Sequence, residues 1–528
     1  MIHSTTNFNS MKTVIVFLLF CLVGLIINAQ PSLSWQKTYG GSDHEYAINS
    51  IPLSDGGFVF VGHSDSGDGD LPDNGGMTDL WVARANAAGT LVWSYSYGGT
   101  LDDEGADVVQ AADGTFFVAG WSDSNDGDVS GNHDEYSSDF WILHLNSSGL
   151  IMNKKCFGGT YDDDAAAIDI TPDGHILVAG ITYSYDGDVV GNHGSYETDV
   201  WVIKLDTALN LLSQKCVGGS DTEEGINLVA TNDNGCVVVG RSFSSDGDVT
   251  GYHAGSDMLV AKLTSTLTIE WAKCFGGSET EEGNAVVQLS DGSYTVLGYT
   301  STHNNGDVTG HYGSSGMDDF WLLKLTSTGV MEWAKCYGGS GDDQANGLTK
   351  TADGGYVMCG LTNSSDEQVS GFHTGFFAPD VWVAKVFSDG SFMWQRCCGG
   401  TDQDESFNVY EESANVYVVT GFTYSSNYDV TINHGSADGW ILKITAVLGE
   451  DELSAGELKV FPNPARDYIS FESGFKGTIS ITDMQGRIVF QTKDIESGII
   501  VLPTLSPGVY EFRLSAQDCV KYNTILIY

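Results

Sequence analysis

The sequence predicts an all-β protein, in which a seven-bladed β-propeller is followed by a small C-terminal β-sandwich. Three observations lead to this prediction. Six of the seven repeat units contain four short stretches of alternating apolar residues. The last unit contains three, and one further stretch lies near the start of the chain. The units are marked by a Gly-Gly doublet that recurs every 58 to 62 residues, at 40–41, 98–99, 158–159, 218–219, 276–277, 338–339 and 399–400.

The second unit shows the pattern most clearly. Its apolar stretches cover residues 105–111, 115–121, 139–145 and 150–157, and Asp-Gly or Ser-Gly turns separate the first from the second and the third from the fourth. Alternation with a period of two is typical of strands, whereas a helical repeat of this length would show apolar residues with a period of 3.6. Four strands in sixty residues are typical of one propeller blade.

The two ends of the repeat array predict a closed ring. After the seventh doublet only three stretches follow, at 406–411, 416–422 and 438–445. The stretch at 33–39 resembles the fourth strand of the other units, so we expect it to complete the last blade. The propeller would then span residues 30–446. Its repeats resemble those of seven-bladed propellers in secreted bacterial proteins.

Residues 1–29 have the layout of a secretory signal peptide. Lys12 precedes an apolar run of 14 residues from Val14 to Ile27, and Ala29 offers a small residue for cleavage. No second long apolar run follows, so the sequence predicts no transmembrane segment in the mature chain.

The charge is confined to the propeller. The chain has a formal net charge of −47, and residues 30–446 hold 59 of its 70 acidic residues but 15 of its 23 Lys and Arg residues. So negative a domain repels phosphate backbones, which excludes a nucleic-acid partner.

The composition changes after the propeller. An acidic linker at 447–456 leads into residues 457–528, where alternating apolar stretches suit a small sandwich. This tail carries four motifs in a fixed order: Pro462-Asn463-Pro464, a turn at Gly486, the pair Gly508 and Tyr510, and a terminal strand. In these motifs the tail resembles the C-terminal sorting domain of type IX secretion cargo in Bacteroidetes. The resemblance implies recognition by the type IX machinery, passage through the periplasm, and a secreted or outer-membrane surface location, with the tail removed. The alternative is an ordinary sandwich that adds stability.

Two acidic motifs recur in the loops that should emerge on one face of the ring. Acids follow every doublet, and an Asp-Gly-Asp motif or a relative of it lies in every loop between the second and third strands. Six of these aspartates are candidate calcium ligands, since calcium prefers carboxylate oxygens: Asp126, Asp128, Asp186, Asp188, Asp246 and Asp248. The alternative is that Asp and Gly form tight turns there. The acids after the doublets can equally be structural acceptors of backbone N–H groups.

Other recurring residues suit structural roles. Most of the long loops carry one histidine, which we interpret as a hydrogen-bonded anchor, and six of the seven units carry a tryptophan that suits the core between blades. Cysteines that precede successive doublets would lie too far apart for disulfides.

No catalytic motif is present: we find no Gly-x-Ser-x-Gly, phosphate loop, His-Glu-x-x-His or Cys-x-x-Cys. The sequence therefore favours a secreted or surface-displayed binding or adhesion module that is not an enzyme, with an extracellular glycan or protein as ligand. Two alternatives stay open, namely a polysaccharide hydrolase or lyase that acts on the acidic loop face, and a structural component of a surface layer. Calcium is the one cofactor that the sequence suggests.

Overall fold

The computed structural model describes residues 31–71, 75–194, 196–373 and 378–446, and in the tail 468–470, 475–483, 487–495, 499–502, 505–506, 508–516 and 519–527. These residues form strands, turns and loops and no helix, so the all-β prediction is confirmed. One compact unit is Gln30–Val447, and Leu448–Tyr528 belongs to a second. The predicted signal peptide, the linker and the tail residues Pro462, Asn463, Pro464 and Gly486 lie outside the described residues.

The first unit is a seven-bladed propeller built from 28 strands, as predicted. The chain begins with β1 (Ser32–Tyr39) and then forms six sheets of four consecutive strands. Blades 1 to 3 contain β2 (Glu45–Pro52), β3 (Phe58–Ser64), β4 (Asp79–Ala85), β5 (Leu91–Tyr97); β6 (Asp103–Gln110), β7 (Phe116–Ser122), β8 (Asp139–Leu145), β9 (Ile151–Phe157); and β10 (Asp163–Ile170), β11 (Ile176–Thr182), β12 (Asp199–Leu205), β13 (Leu211–Val217).

Blades 4 to 6 repeat this order. They contain β14 (Glu223–Ala230), β15 (Cys236–Ser242), β16 (Asp257–Leu263), β17 (Ile269–Phe275); β18 (Glu281–Gln288), β19 (Tyr294–Thr300), β20 (Asp319–Leu325), β21 (Met331–Tyr337); and β22 (Asp343–Lys350), β23 (Tyr356–Thr362), β24 (Asp380–Val386), β25 (Phe392–Cys398).

Blade 7 combines the two ends of the propeller. It contains β26 (Asp404–Ser413), β27 (Val416–Thr423) and β28 (Asp438–Thr445), and β1 adds as its outer strand. The pairing of β1 with β28 is antiparallel and runs from Ser32 opposite Thr445 to Tyr39 opposite Gly439. The innermost strand of each blade contacts that of the next, including β26 and β2, so the ring is closed.

Tryptophans at the third strands fill the space between blades. Trp81, Trp141, Trp201, Trp321, Trp382 and Trp440 are almost completely buried. The ring of Trp201 lies 4.7 Å from that of Phe140 in the preceding blade, and Trp382 lies 4.6 Å from Phe320. The predicted core role of these residues is therefore confirmed. Neighbouring blades cover both faces of the second and third strands, so the sequences of these strands are nearly continuous apolar runs.

Cysteines of the propeller are also part of this interior. Cys156, Cys216, Cys236, Cys274, Cys336, Cys359, Cys397 and Cys398 are free and buried. Burial raises the pKa of the Cys156 thiol to about 12, so it is not a reactive thiolate.

The tail forms two sheets. One pairs β29 (Tyr468–Ser470) with β32 (Ile499–Val501), and the other has the order β31-β30-β33-β34, from β30 (Phe475–Asp483), β31 (Ile488–Ile495), β33 (Gly508–Ala516) and β34 (Cys519–Ile527). Buried side chains from both sheets share one apolar cluster. Of the predicted sorting residues, Gly508 begins β33, and the hydroxyl of Tyr510 donates to the Ser506 carbonyl at 2.8 Å. The sandwich assignment itself stays a prediction. Across the described residues, no helix is long and apolar enough to span a membrane.

Candidate functional site

Two loops of each blade unit meet on one face of the propeller, which we call the loop face. They are the doublet loop, between the fourth strand and the next first strand, and the loop between the second and third strands. The third residue of each Asp-Gly-Asp motif, or its equivalent, donates its N–H to the carbonyl of the first doublet glycine at 2.7 to 3.2 Å in all seven cases. The prediction that both acidic motifs share one face is confirmed.

The doublet glycines are required by close contacts. A Cβ atom on Gly98 would lie 2.3 Å from Asp79 Oδ1 and 2.6 Å from Asp103 Oδ2, and one on Gly99 would lie 2.4 Å from Asp126 Oδ1. No side chain fits at either position without displacing a carboxylate. The doublet is therefore the point at which three acidic residues approach the backbone.

Acids that follow the doublets act as buried acceptors. Asp103 accepts the N–H of Gly99 at 2.7 Å, and the hydroxyls of Ser122 and Ser124 donate to its two oxygens. The same bond to the second doublet glycine, at 2.7 to 2.8 Å, occurs in all seven blades at fully buried side chains: Glu45, Asp103, Asp163, Glu223, Glu281, Asp343 and Asp404. The structural interpretation of these acids is confirmed.

A second buried carboxyl faces each of these acids from the preceding blade. It belongs to the aspartate that begins the third strand: Asp79, Asp139, Asp199, Asp257, Asp319, Asp380 and Asp438. Its Oδ2 accepts a backbone N–H of the loop, for example that of Gly75 at 2.7 Å for Asp79 and that of Tyr312 at 2.6 Å for Asp319. Its Oδ1 has no hydrogen-bond partner among the described residues in six cases: Asp139, Asp199, Asp257, Asp319, Asp380 and Asp438.

These facing carboxyls bind protons more tightly than exposed ones. Burial raises the pKa of Asp319 and of Asp380 to about 8 and that of Asp163 to about 7, with the facing acid as a further cause in each case. Asp319 is accordingly protonated at neutral pH. Sequence reasoning missed this partner. The available signal was its constant distance of 24 residues from the next post-doublet acid, as between Asp79 and Asp103.

Loop histidines are hydrogen-bonded anchors, as predicted. Nδ1 of His133 lies 2.6 Å from Asp139 Oδ2, and equivalent contacts of 2.6 to 3.0 Å occur at His193, His253, His373 and His434. His311 instead places Nε2 3.0 Å from the carbonyl of Met317. All six histidines therefore hold their own loops.

The six candidate calcium ligands lie in three different blades. Asp126, Asp186 and Asp246 each accept the backbone N–H two residues after the first doublet glycine, at 2.8 to 2.9 Å. Asn427 makes the same bond at 3.0 Å, so this turn does not need a charge.

The other three candidates, Asp128, Asp188 and Asp248, lie near basic side chains. Their nearest ones are Lys154 at 3.8 Å, His133 at 3.9 Å and Lys215 at 2.9 Å, respectively. Within the described ranges, no group of three or more His, Cys, Asp or Glu residues could hold a metal ion. Calcium binding stays a prediction.

The face opposite the loop face carries basic side chains, several of which pair with acidic residues of its turns. The sixth residue of each third strand is basic or histidine, and in several blades it pairs with the acid of the turn between the first two strands. Lys262 lies 2.9 Å from Asp233, and Lys385 lies 2.5 Å from Asp353. The equivalent residues are Arg84, His144, Lys204, Lys262, Lys324, Lys385 and Lys443. Sequence reasoning missed this recurrence, although the residue type and its position in the strand were visible.

Near the loop face, the two inner strands of each blade carry a pair of positions whose second-strand residue differs in all seven blades, whereas the first-strand residue is Glu, Asp or Gln in six of them. We call these positions the rim; each blade contributes the residue after its buried acid and the residue opposite it on the second strand. The pairs are Tyr46 and His63, Glu104 and Trp121, Asp164 and Ile181, Glu224 and Arg241, Glu282 and Tyr299, Gln344 and Leu361, and Glu405 and Phe422.

The rim differs in chemistry around the ring. Arg241 bridges blades 4 and 5 through contacts of 2.8 Å to Glu224 and 3.0 Å to Glu282. Between blades 7 and 1 the rim is aromatic, with the rings of Tyr46 and Phe422 4.8 Å apart. The Tyr46 hydroxyl also lies 2.9 Å from that of Tyr424, which is next to the rim.

Two acids of blade 2, Glu104 in the rim and Asp123 beside it, have raised pKa values. Burial, followed by the charge of Asp102, raises the pKa of Glu104 to about 7. Burial also raises the pKa of Asp123 to about 6, with Asp162 as the next cause. The rim thus combines a fixed cation, aromatic hydroxyls and a carboxyl that titrates near neutrality.

Comparisons with known proteins identify the tail. Residues 459–528 match the family described as "Secretion system C-terminal sorting domain". No curated protein matches the chain.

Solved structures similar to the chain cover most of its length. Kuenenia stuttgartiensis hydrazine synthase has 10% identity and a TM-score of 0.45, covering 79% of this chain and 98% of that one. The Neurospora crassa Pan2 WD40 domain has 10% identity and a TM-score of 0.43, covering 80% and 96%. A gluconolactonase from Xanthomonas campestris has 9% identity and a TM-score of 0.31, covering 58% and 82%. Similarity at this level carries no argument about function.

The fold and the tail together define the class of this protein. It is a seven-bladed β-propeller that carries a type IX secretion sorting domain. It is exported by the type IX system and is secreted or displayed at the cell surface.

Proposed function

We propose that this exported propeller is a non-enzymatic binding or adhesion module that engages its extracellular ligand on the loop face. One observation carries the proposal. The positions that hold the ring together are filled alike in seven blades, whereas the rim carries a different pair in every blade. A scaffold needs only the repeated positions, so the varied ones are where selectivity for a ligand can reside.

The experiment that tests this proposal joins a glycan and protein array to turnover assays on the exported chain. Selective binding without bond cleavage supports the binding module. Release of a product from a bound polysaccharide contradicts it. Absence of any selective binding favours the surface-layer alternative, which requires only self-assembly.

A hydrolase or lyase of extracellular polysaccharide is the second candidate function. The observation in its favour is Glu104, whose pKa of about 7 suits a general acid, with Asp102 as a second carboxyl close by. If turnover is found, Glu104→Gln should abolish it, whereas Glu405→Gln alters the equivalent rim position of blade 7 and serves as the matched control.

We further propose the processing of the two ends. Residues 1–29 are a signal peptide removed in the periplasm, the propeller spans 30–446, and residues 447–456 link it to the sorting domain at 457–528, which is removed on export. The apolar run at the N-terminus and the matched tail support this order. Terminal sequencing and intact mass of the exported protein test it, and a retained N-terminus or tail would contradict it.

A further inference from the structure

Blade 3 presents four exposed tyrosines on the loop face, which we call the tyrosine surface. Their exposed fractions are 48% for Tyr161, 37% for Tyr183, 43% for Tyr185 and 80% for Tyr196. Large side chains of this kind are usually withdrawn from solvent, and a group of them on one surface is typical of a docking site.

At Tyr185 the tyrosine surface departs from the repeat. Tyr185 precedes the Asp-Gly-Asp motif, where other blades carry small or polar residues: Gly67, Asn125, Ser245, Ser365 and Ser426. The position of Tyr196 varies between blades: blade 2 has the exposed Tyr136 there, whereas blades 1, 4 and 7 have Gly76, Ala254 and Gly435. The φ of Tyr196, 78°, lies in the left-handed region that bulky residues avoid. The fold does not require a tyrosine at either position.

Two of the four rings are in contact, and backbone hydrogen bonds tie the other two tyrosines to the same loops. Tyr161 and Tyr185 meet edge to face with ring centroids 6.2 Å apart, and the N–H of Tyr196 donates to the hydroxyl of Tyr185 at 2.5 Å. The N–H of Tyr183 donates to the carbonyl of Asp162 at 2.9 Å, next to Tyr161 in the chain. An arrangement fixed in advance loses little side-chain entropy when a partner binds.

Carboxylates surround these rings. Asp162 adjoins Tyr161, Glu197 adjoins Tyr196, and both are exposed. Glu197 accepts the hydroxyl of Thr222 at 2.6 Å, which fixes it beside the exposed Asp221 of the next doublet loop. The surface therefore pairs π-faces with negative charge, which is the combination that attracts ammonium and guanidinium groups.

We propose that the tyrosine surface docks an extended polypeptide segment rich in lysine and arginine. The inference rests on the proposed binding function and names its partner class. Cation–π contacts to the rings and ion pairs with Asp162 and Glu197 would recognise the segment, and the negative field of the propeller would speed its encounter. Anionic partners are repelled by the same charges.

The test uses the exported chain and a fluorescent ten-residue peptide of alternating lysine and serine, with a glutamate–serine peptide for comparison. We expect saturable binding of the basic peptide, weakened by added salt, and no binding of the acidic one. The double variant Tyr161→Ala/Tyr185→Ala should bind about tenfold more weakly, whereas Tyr161→Phe/Tyr185→Phe should retain affinity because the π-faces remain. The control Tyr428→Ala, at a 70% exposed tyrosine of blade 7, should bind as the unchanged chain does.

Equal affinity of the double alanine variant and the unchanged chain overturns the inference. If that variant fails to fold, tyrosine-labelled NMR of the unchanged chain decides, because peptide must shift these ring signals and not that of Tyr428. Glycans on the array that bind while the basic peptide does not would overturn this inference and leave the proposed function standing. Failure of every probe would overturn both.

Discussion

Asp319 offers the sharpest test of the buried carboxyl pairs, because its replacement by asparagine should stabilise the propeller at alkaline pH. The side chain is fully buried, its Oδ2 accepts the N–H of Tyr312, and its Oδ1 has no partner among the described residues. Asparagine has the same shape, keeps one acceptor for Tyr312, and supplies an N–H donor toward Asp343.

The magnitude follows from the proton that Asp319 holds. Burial, with Asp343 and Asp318 as further causes, raises the pKa of Asp319 from its ordinary 3.8 to about 8. His311, whose Nε2 lies 3.9 Å away, offers no countercharge because burial lowers its own pKa. A change of about four pKa units corresponds to about 5 kcal/mol.

The sign of the pH dependence is fixed by where the proton is bound. Between about pH 4 and pH 8 the folded chain holds this proton and the unfolded chain has released it, so the free energy of unfolding falls as the pH rises. Asp319→Asn removes that fall. The variant should match the unchanged chain near pH 4 and exceed it by up to about 5 kcal/mol above pH 8.

Urea unfolding of the exported chain at several pH values measures this difference. The matched control is Asp291→Asn, an exposed turn aspartate of the same blade whose pKa is lowered by its bonds to Ser293. It should leave the slope between pH 5 and pH 8 intact. Equal destabilisation by Asp319→Asn at pH 5 and at pH 9 would refute the reasoning, since it would mean that the folded chain needs the ionised carboxylate.

Three further predictions concern the doublets, the loop acids and the tail. Gly98→Ala should lower the free energy of unfolding by about 2 kcal/mol or more, because its Cβ would overlap Asp79 and Asp103. Gly114→Ala, where the space is open but φ is 86°, should lower it by about 1 kcal/mol. Urea unfolding that gives equal losses for the two variants would contradict this account of the doublet. If the Asp-Gly-Asp loops are only turns, as the Asn427 bond suggests, adding calcium to the chelator-treated chain should leave its thermal unfolding midpoint unchanged. An upward shift of that midpoint would establish a calcium site. Deletion of residues 457–528 should leave the chain in the periplasm of its host, which cell fractionation would measure. Normal delivery of the truncated chain to the surface would contradict the sorting assignment.

The repeat period made most of the fold predictable from the sequence. The doublets located the blades, and the stretch at 33–39 identified the closing strand, because closure requires a fourth strand from somewhere in the chain. Strand ends were less accurate. β6 begins at Asp103, two residues before the predicted 105, because its buried acid pairs with Ser122 in the ladder and donates its N–H to Thr78 of the preceding blade.

Features of the site were visible only in part. Recurrence showed that the post-doublet acids are structural, but it could not show that Asp79 faces Asp103, since that contact joins two blades. The rim and the tyrosine surface were not predicted from the sequence. Comparing the repeats reveals the positions that they share, whereas Arg241 and Tyr185 differ from their counterparts in the other blades. Their placement depends on packing between blades, which no local pattern encodes.

Closure by β1 also sets the order of events in folding. Ser32 pairs with Thr445 across 413 residues, so this contact pays the largest loop-closure entropy in the propeller and is expected to form late. Until then β28 lacks its outer partner and β1 has no partner strand, and unpaired strands of this kind are the usual starting points of aggregation. The joining of the two ends of the propeller is therefore expected to be a late step of folding, and one on which the solubility of the exported chain depends.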